Sequence, residues 1–284
     1  MLIIIGAVVV MLSVGGGFLM EHGNPSILWD PAELIIICGA AFGSFLLASP
    51  AKLLSEVVKN VRGSVGGGRK QSKRRQLDLL VLLYRLFHKV RKEGLVSIES
   101  DIEKPENSSM FKTYYKGQAN QDVIDFICDN LKVIITTNVP AHELETLMEL
   151  EIETRQHEAM GPSRGLAKLA DALPGFGIVA AVLGVVLTMG QIDQPPAILG
   201  RDIGSALTGT FLGVLLSYGF VGPLATNLEH MAQSEEIDFQ VIKVAIVAFV
   251  GGAAPQIAVE FGRRAIPGDD CPSFNELEKE VRGK

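Results

Sequence analysis

The stretch of residues 174–227 is nearly free of charge, and this feature constrains the fold more than any other. Its two halves, residues 174–192 and 203–226, contain no Asp, Glu, Lys or Arg. An α-helix needs roughly 20 apolar residues to cross a hydrocarbon core of about 30 Å. Each half is long enough, so the sequence predicts two membrane-spanning helices here.

The polar groups within these halves are mostly hydroxyls, which can bind water or the hydration shell of an ion without the cost of a buried charge. They are Thr188, Ser205, Thr208, Thr210, Ser217 and Tyr218. If an ion crosses the membrane beside them, we expect a partner protein to supply the carboxylate.

Two more apolar runs, residues 2–20 and 32–48, raise the number of predicted spans to four. The first run lacks the basic flank and cleavage site of a secretory signal, so we expect it to be retained. Residues 52–75 carry eight Lys or Arg and one acid, whereas residues 21–31 carry acids and no Lys or Arg. The positive-inside rule therefore places the segment after the second span, and both termini, in the cytoplasm.

The segment between spans two and three has a helical pattern throughout. Apolar residues recur every three or four positions in residues 76–93 and 122–136, which is typical of amphipathic helices, and Gly94 is a natural helix stop. A third helix is predicted from near Pro140, an amphipathic segment at 237–250, and a short helix at 275–281.

The sequence thus predicts an all-α integral membrane protein with four transmembrane helices and a large helical cytoplasmic insert between spans two and three. The predicted divisions are transmembrane helices in 1–50, a cytoplasmic helical domain in 51–171, transmembrane helices in 172–228 and a cytoplasmic helical tail in 229–284.

No pattern of reactive side chains predicts an enzyme. The three cysteines, Cys38, Cys128 and Cys271, have no metal-ligand spacing, and the five histidines are dispersed. The phosphate-binding, dinucleotide-binding and serine-nucleophile motifs are missing from the sequence. We therefore expect no catalytic residues, no metal, no cofactor and inert thiols.

Several strings give the chain a resemblance to a known family. They include Asp171-Ala-Leu-Pro174-Gly-Phe-Gly-Ile-Val-Ala-Ala181, Gly209-Thr-Phe-Leu-Gly213, Tyr218-Gly-Phe, Gly222-Pro223-Leu-Ala and Ala258-Val-Glu-Phe-Gly-Arg. With four spans in a two-plus-two arrangement, the chain resembles the motility protein A (MotA) family, the A subunit of the bacterial flagellar stator, within the MotA/TolQ/ExbB proton channel superfamily.

The resemblance implies an inner-membrane stator that converts ion flow into torque. It implies five A subunits around two copies of a MotB-type B subunit, which supplies the ion-binding aspartate, and a contact with the rotor switch protein FliG. Proton-type members match the string from Pro174 to Ala181 better than sodium-type members do, so we expect the transported ion to be H⁺ rather than Na⁺.

For the ion pathway, the resemblance implies roles for Pro174 and Pro223, which would face the aspartate of the B subunit. A proline at a helix start, however, also uses a position whose N–H is unpaired anyway. Pro223 equally fits a bend or an end of the fourth helix.

The resemblance adds Thr210, Ala181 and Tyr218 to this pathway, and Asp171 at its inner exit. Thr210 fits helix packing through Gly209-x-x-x-Gly213 equally well, and both interpretations stay open. Asp171 just before the span also suits a helix N-terminus.

For the rotor contact, the resemblance implies Arg91 and Glu99, which flank Gly94, and less clearly Glu151. From the residues alone, charges near a helix end are usually just solvated.

Two other functions stay open: an ExbB/TolQ-like energiser of an outer-membrane uptake or envelope complex, and a membrane scaffold without ion flow. The apolar hairpin within residues 2–48 favours the stator over the energiser, whose members typically have three spans.

Overall fold

The computed structural model describes residues 2–28, 30–65, 73–112, 114, 118–137 and 139–282. Regular structure in these ranges is helical, which confirms the predicted all-α class. The helices are α1 Leu2–Met20, α2 Pro31–Ala48, α3 Ala51–Val65, α4 Lys73–Glu93, α5 Glu99–Glu103, α6 Gln118–Thr137, α7 Ala141–Ala159, α8 Gly161–Met189, α9 Pro196–Leu216, α10 Gly222–Val250, α11 Pro255–Arg264 and α12 Phe274–Arg282.

The chain packs as two compact units. The first, which we call the membrane unit, comprises Met1–Arg69 and Ala159–Met231, and the second, the insert unit, comprises Lys70–Glu158 and Ala232–Lys284. Helix α3 belongs to the membrane unit because its Val57 is buried against Phe45 and Leu166. The predicted divisions at 50, 171 and 228 followed membrane location rather than packing, and they stay a prediction.

The membrane unit contains the apolar helices. Among the described residues, four helical segments are long and apolar enough to cross a membrane: α1, α2, and parts of Ala141–Met189 and Pro196–Val250. Helix α2 starts cleanly because Asp30 Oδ1 accepts from the Ala32 N–H at 2.9 Å and Pro31 occupies the first turn. The four predicted spans are confirmed as helices.

The third predicted span is the second part of a longer helix. Helix α8 begins at Gly161, so Asp171 and Pro174 lie inside it and not at a helix start, as the sequence had indicated. The helix extends further because the side chain of Leu166 is buried with Val57 and Leu228. A proline inside a helix lacks the N–H that would bond to the carbonyl four residues earlier. Pro174 therefore interrupts the hydrogen-bond ladder of α8.

The fourth predicted span also differs from its expected form. Helix α9 starts at Pro196, so the connection predicted at 193–202 is shorter. A π-helical turn, Ser217–Val221, follows α9, and its end is marked by the Gly222 N–H donating to the Ser217 carbonyl. Pro223 follows this turn inside one continuous helical run, Pro196–Val250, so it does not end the helix. The alternative of helix termination at Pro223 is therefore wrong. Pro223 has no N–H to join the hydrogen-bond ladder there, which leaves the alternative of a bend open.

The insert unit has one large core. Its centre is on α4, where Leu80, Leu83 and Phe87 are fully buried, and Phe87 stacks on Phe249 of α10 with ring centroids 4.4 Å apart. The segment predicted as a separate amphipathic helix at 237–250 is the second part of α10, and its apolar side chains fill this core. The periodicity that predicted α4 and α6 therefore identified core residues.

Hydrogen bonds and ion pairs also stabilise the insert unit, where they join α4 to α10 and cap α12. Asp238 of α10 is buried and is bound by Arg75 and by Gln76 Nε2, the latter at 2.6 Å. Helix α12, predicted at 275–281, begins with a capping box in which the Ser273 N–H donates to Glu276 Oε2 at 2.7 Å. Hydrogen bonds from Lys73 and Ser273 lower the pKa of Glu276 to about 2.

Gly94 gives a direct test of the insert unit. It follows α4 with φ 89° and ψ 164°, a backbone region that residues with a Cβ rarely adopt. We expect Gly94→Ala to destabilise this unit by about 1–3 kcal/mol. Gly268→Ala is the matched control, because Gly268 has no positive φ and a methyl group there meets nothing within 4 Å.

The measurement is the rate at which the Cys128 thiol is labelled in the full-length chain with Cys38 and Cys271 replaced by Ser. Cys128 is buried, and burial raises its pKa to about 12, so labelling reports opening of the unit. We expect labelling to accelerate about fivefold or more in Gly94→Ala. Equal rates in the two alanine variants would mean that alanine fits the backbone conformation of residue 94 without strain.

Candidate functional site

Helices α8 and α9 touch backbone to backbone. A methyl group on Gly177 would lie 2.7 Å from the Gly209 carbonyl oxygen and 3.2 Å from Gly213 Cα. One on Gly213 would lie 2.7 Å from the Leu173 carbonyl oxygen, beside Pro174. Small residues that let backbones approach in this way are typical of helix pairs in membranes. The predicted Gly209-x-x-x-Gly213 packing is confirmed.

Thr210 lies at this contact and is half-buried. Its Cα would be 3.3 Å from a methyl group on Gly177. Neighbouring hydroxyls are engaged: Thr188 donates to the Gly184 carbonyl at 2.9 Å and Ser205 to Asp30 at 3.1 Å. Among the described residues, the Thr210 hydroxyl has no hydrogen-bond partner. Its hydroxyl can therefore serve a group from another molecule.

The other predicted pathway residues fall into two sets. Pro174 and Ala181 flank the α8–α9 contact, and the Ala181 nitrogen would lie 3.3 Å from a methyl group on Gly209. Asp171 and Pro223 are exposed, and Tyr218 is 72% exposed. The structure thus brings Pro174, Ala181 and Thr210 to one contact and leaves the remaining three residues on the surface of the membrane unit.

An exposed apolar surface accompanies these residues on the same two helices. We call it the α8–α9 face, and its apolar side chains range from 41% to 59% exposed. They are Ile178, Val182, Leu207 and Val214. Apolar side chains exposed on a membrane helix face either lipid or a neighbouring helix. The half-buried Pro174 and the available Thr210 hydroxyl make this face suited to a neighbouring helix that carries a polar group.

Glu33 is a buried carboxyl in the second span that the sequence reasoning missed. It is 7% exposed, and its Oε2 accepts a hydrogen bond from Thr208 of α9. A methyl group on Gly209 would lie 3.3 Å from its Cδ. The available signal was one acid within the apolar run of residues 32–48, since ionisable groups inside a membrane span are rare and usually functional.

Arg91 and Glu99 lie on either side of Gly94, which has a positive φ, in the insert unit. Arg91 is in the last turn of α4, Glu99 is the first residue of α5, and both are exposed. Among the described residues, neither side chain takes part in an ion pair. The structure therefore presents both charges at one surface segment, where another molecule can reach them.

An internal ion pair holds this segment in place. Lys89 Nζ contacts Asp101 Oδ2 at 2.7 Å, and Ser108 Oγ donates to Asp101 Oδ1 at 2.6 Å. Burial raises the pKa of Asp101, but the hydrogen bonds from Lys89 and Ser108 together outweigh it, so the pKa lies below its usual value. The carboxylate is therefore charged at neutral pH and ties α4 to α5.

Glu151, the third residue predicted to contact the rotor, is engaged within the insert unit. Its carboxylate accepts from Arg155 Nε at 2.9 Å and from Asn130 Nδ2 at 3.4 Å. The Arg155 guanidinium in turn lies 5.4 Å from the ring centroid of Phe239. Glu151 thus has a packing role in this structure, and its predicted contact with a rotor stays a prediction.

Comparisons with known proteins cover nearly the whole chain. Residues 4–94 match the motility protein A N-terminal family, and residues 115–241 match the MotA/TolQ/ExbB proton channel family. The chain is 45% identical to Motility protein A of Escherichia coli, over 99% of this chain and 95% of the relative. It is 36% identical to chemotaxis protein LafT of Vibrio parahaemolyticus, over 97% of this chain and 96% of the relative.

Two solved structures share the fold. The C. jejuni MotAB structure matches with a TM-score of 0.77 at 20% identity, covering 96% of this chain and 98% of that one. The flagellar MotAB stator complex from Bacillus subtilis matches with a TM-score of 0.68 at 19% identity, covering 90% and 92%. At these sequence identities the two matches show a shared fold and nothing further, and they confirm the predicted architecture.

The α8–α9 contact leads to a prediction about Gly177. Replacing it by Ala places a methyl group against a backbone carbonyl that cannot move aside, which costs about 1–3 kcal/mol. We expect the melting midpoint of the purified full-length chain in detergent to fall by several degrees. Gly175→Ala is the control, since a methyl group there meets nothing within 4 Å. Identical midpoints for the two variants would contradict the close contact.

Proposed function

Since the chain belongs to the motility protein A family, the stator subunits of the bacterial flagellar motor, we propose that its α8–α9 face lines a proton pathway beside a MotB-type B subunit. The observation that carries this proposal is the Thr210 hydroxyl, half-buried at the backbone contact and available for a partner. The match of residues 4–94 to the motility protein A N-terminal family supports a stator over an uptake energiser.

The B subunit supplies the carboxylate that carries the ion. Residues 174–192 and 203–226 contain no carboxylate. On the α8–α9 face, the exposed Ile178 lies one helical turn from Pro174, and Leu207 and Val214 lie one turn on either side of Thr210. A single membrane helix with one acid would bury its apolar side chains on this face. The charged carboxylate of this helix would accept a strong hydrogen bond from Thr210. Protonation of the carboxylate would weaken that hydrogen bond.

Pro174 couples this change to movement. The interrupted hydrogen-bond ladder makes α8 easier to bend at this residue than elsewhere. A change in charge beside Pro174 therefore alters the bend of α8, and α9 follows because the two backbones are in contact at Gly177 and Gly213. Ala181 fixes the spacing of the pair, while Asp171, Tyr218 and Pro223 line the inner part of the route.

The proton is the coupling ion favoured by the family match, because residues 115–241 match the MotA/TolQ/ExbB proton channel family. A dehydrated sodium ion needs several oxygen ligands at once. A proton needs one acceptor at a time, and the partner's carboxylate provides it.

The insert unit transmits the motion to the rotor through Arg91 and Glu99. One proton falling through 100 mV releases about 2.3 kcal/mol. An exposed ion pair is worth about 1 kcal/mol or less. One proton can therefore release and remake such a contact with the rotor switch protein, which suits a stepping motor.

Assembly and orientation complete the proposal. Five A subunits surround a B dimer in the inner membrane, with both termini and the insert unit in the cytoplasm, as the basic residues 52–75 favour. The chain conducts an ion and performs no catalysis of its own.

The role of Thr210 is tested by Thr210→Val, which keeps the shape but removes the hydroxyl. We expect normal amounts of protein in the membrane and rotation at least about tenfold slower, because a hydrogen bond to a charged group is worth roughly 1.5–3 kcal/mol. Thr210→Ser keeps the hydroxyl and should rotate at close to the normal speed. Normal rotation of Thr210→Val would leave this residue with a packing role alone.

Charge reversal tests the rotor contact. Arg91→Glu and Glu99→Lys should each leave membrane assembly intact and abolish swimming, because the reversed charge repels the rotor's matching group. Glu106→Lys is the control, since Glu106 is exposed on the same unit and has no proposed contact. Wild-type swimming of both reversed variants would refute the contact, and motility is scored on soft agar together with membrane-fraction immunoblots.

A further inference from the structure

A cavity with both polar and apolar lining residues opens in the membrane unit between α2, α8 and α9. Its volume is about 280 Å³, which is room for several water molecules. We call it the vestibule, and its polar lining residues are Asp30, Glu33, Thr188, Gln191, Asp202 and Ser205. It lies where α8 ends and α9 begins, and in the proposed orientation this end faces the outside of the cytoplasmic membrane.

Glu33 is the buried carboxyl of this vestibule. It is 7% exposed, whereas Asp30, which caps α2, and Asp202 on α9 are half-buried. The α8 side of the vestibule contributes Thr188 and Gln191, which do not titrate in the physiological range. Glu33 therefore lies deepest among the three acids, with water-sized space between it and the other two.

The Thr208 hydroxyl can satisfy Glu33 in both of its protonation states. Thr208 Oγ1 is in hydrogen-bond contact with Glu33 Oε2 and also lies 2.7 Å from the Ser205 carbonyl oxygen. A hydroxyl has one proton to donate and can also accept. When Glu33 is a carboxylate, Thr208 donates to it. When Glu33 is a carboxylic acid, Glu33 donates to Thr208, and Thr208 donates to the Ser205 carbonyl.

We propose that Glu33 is a proton-carrying residue of the A subunit, at the floor of the vestibule through which protons enter the stator. This inference rests on the proposed coupling to protons. A hydronium ion in the vestibule gives its proton to the Glu33 carboxylate, which forms an O–H bond and leaves water. The carboxylic acid then releases that proton to water on the way to the partner's carboxylate and becomes a carboxylate again.

The position of Glu33 fits this relay. A methyl group on Gly209 would lie 3.3 Å from both the Glu33 carboxyl carbon and the Ala181 nitrogen, and Gly209 directly precedes Thr210. The Glu33 carboxyl therefore lies beside Ala181 of α8, on the same side of Gly209. A proton taken up at Glu33 has a short distance to travel to the proposed pathway.

The test compares rotation at low and high load for the full chain with its B subunit. At low load, speed is limited by how fast protons arrive, whereas torque near stall reflects the energy per proton. We expect Glu33→Gln to lower the low-load speed severalfold, increasingly so at higher external pH, with torque near stall almost unchanged. Glu33→Asp should recover part of the speed. Glu21→Gln, an exposed acid outside the vestibule, is the matched control and should match wild type.

Normal low-load speed of Glu33→Gln would overturn the proposal. So would an equal loss of low-load speed and torque near stall, because that pattern indicates a structural role.

If Glu33→Gln does not reach the membrane, Thr208→Val decides, since it keeps the carboxyl but removes the hydroxyl that serves both states. Thr208→Val should show the same low-load deficit and Thr208→Ser should not; normal speed of Thr208→Val would overturn the relay. A wild-type speed that follows sodium instead of the proton gradient would refute the proposed coupling ion itself.

Discussion

The backbone contact between α8 and α9 is the constraint on which the rest of the membrane unit depends. At Gly177 and Gly213 there is no room for a Cβ, so the two helices pack as one body. That contact places Thr210 beside α8 and leaves its hydroxyl available, and it lets a bend at Pro174 move both helices together. It also brings Gly209 against Glu33 of α2, so the buried carboxyl lies beside Ala181 of the proposed pathway.

Polar groups within the apolar spans are used sparingly and for distinct purposes. Hydroxyls such as that of Thr188 donate their proton to a carbonyl of their own helix, so the donor is satisfied within the span. The carboxyl of Glu33 is buried with a hydroxyl partner on a neighbouring helix, which keeps its cost in the membrane low. In the insert unit, by contrast, Arg91 and Glu99 are exposed and pair weakly with any partner. In the proposed mechanism, the strongly held groups thus line the proton route, and the weakly held charges form the contact with the rotor.

Much of this architecture could be predicted from local sequence patterns. Apolar periodicity identified α4 with its core residues Leu80 and Leu83, and the charge-free halves identified the spans. The length of α8 could not be predicted, because residues 161–173 are mixed in polarity and become helical through long-range burial of Leu166. The pairing of Glu33 with Thr208 joins residues 175 positions apart, and no local pattern encodes it. The hydrogen bond from Asn130 to Glu151 depends on tertiary packing in the same way, whereas the Glu151–Arg155 pair is an i,i+4 contact within α7 that a local pattern can indicate.

The most direct test of the central claim is the swimming speed of a strain that lacks its own A subunit and carries this chain with its matching B subunit. External sodium and a protonophore are varied separately while membrane insertion is monitored. We expect swimming to stop with the protonophore and to be indifferent to sodium. Speed that follows sodium and survives the protonophore would contradict proton coupling, and immotile cells with the complex fully inserted would contradict the role of this chain as the torque-generating A subunit.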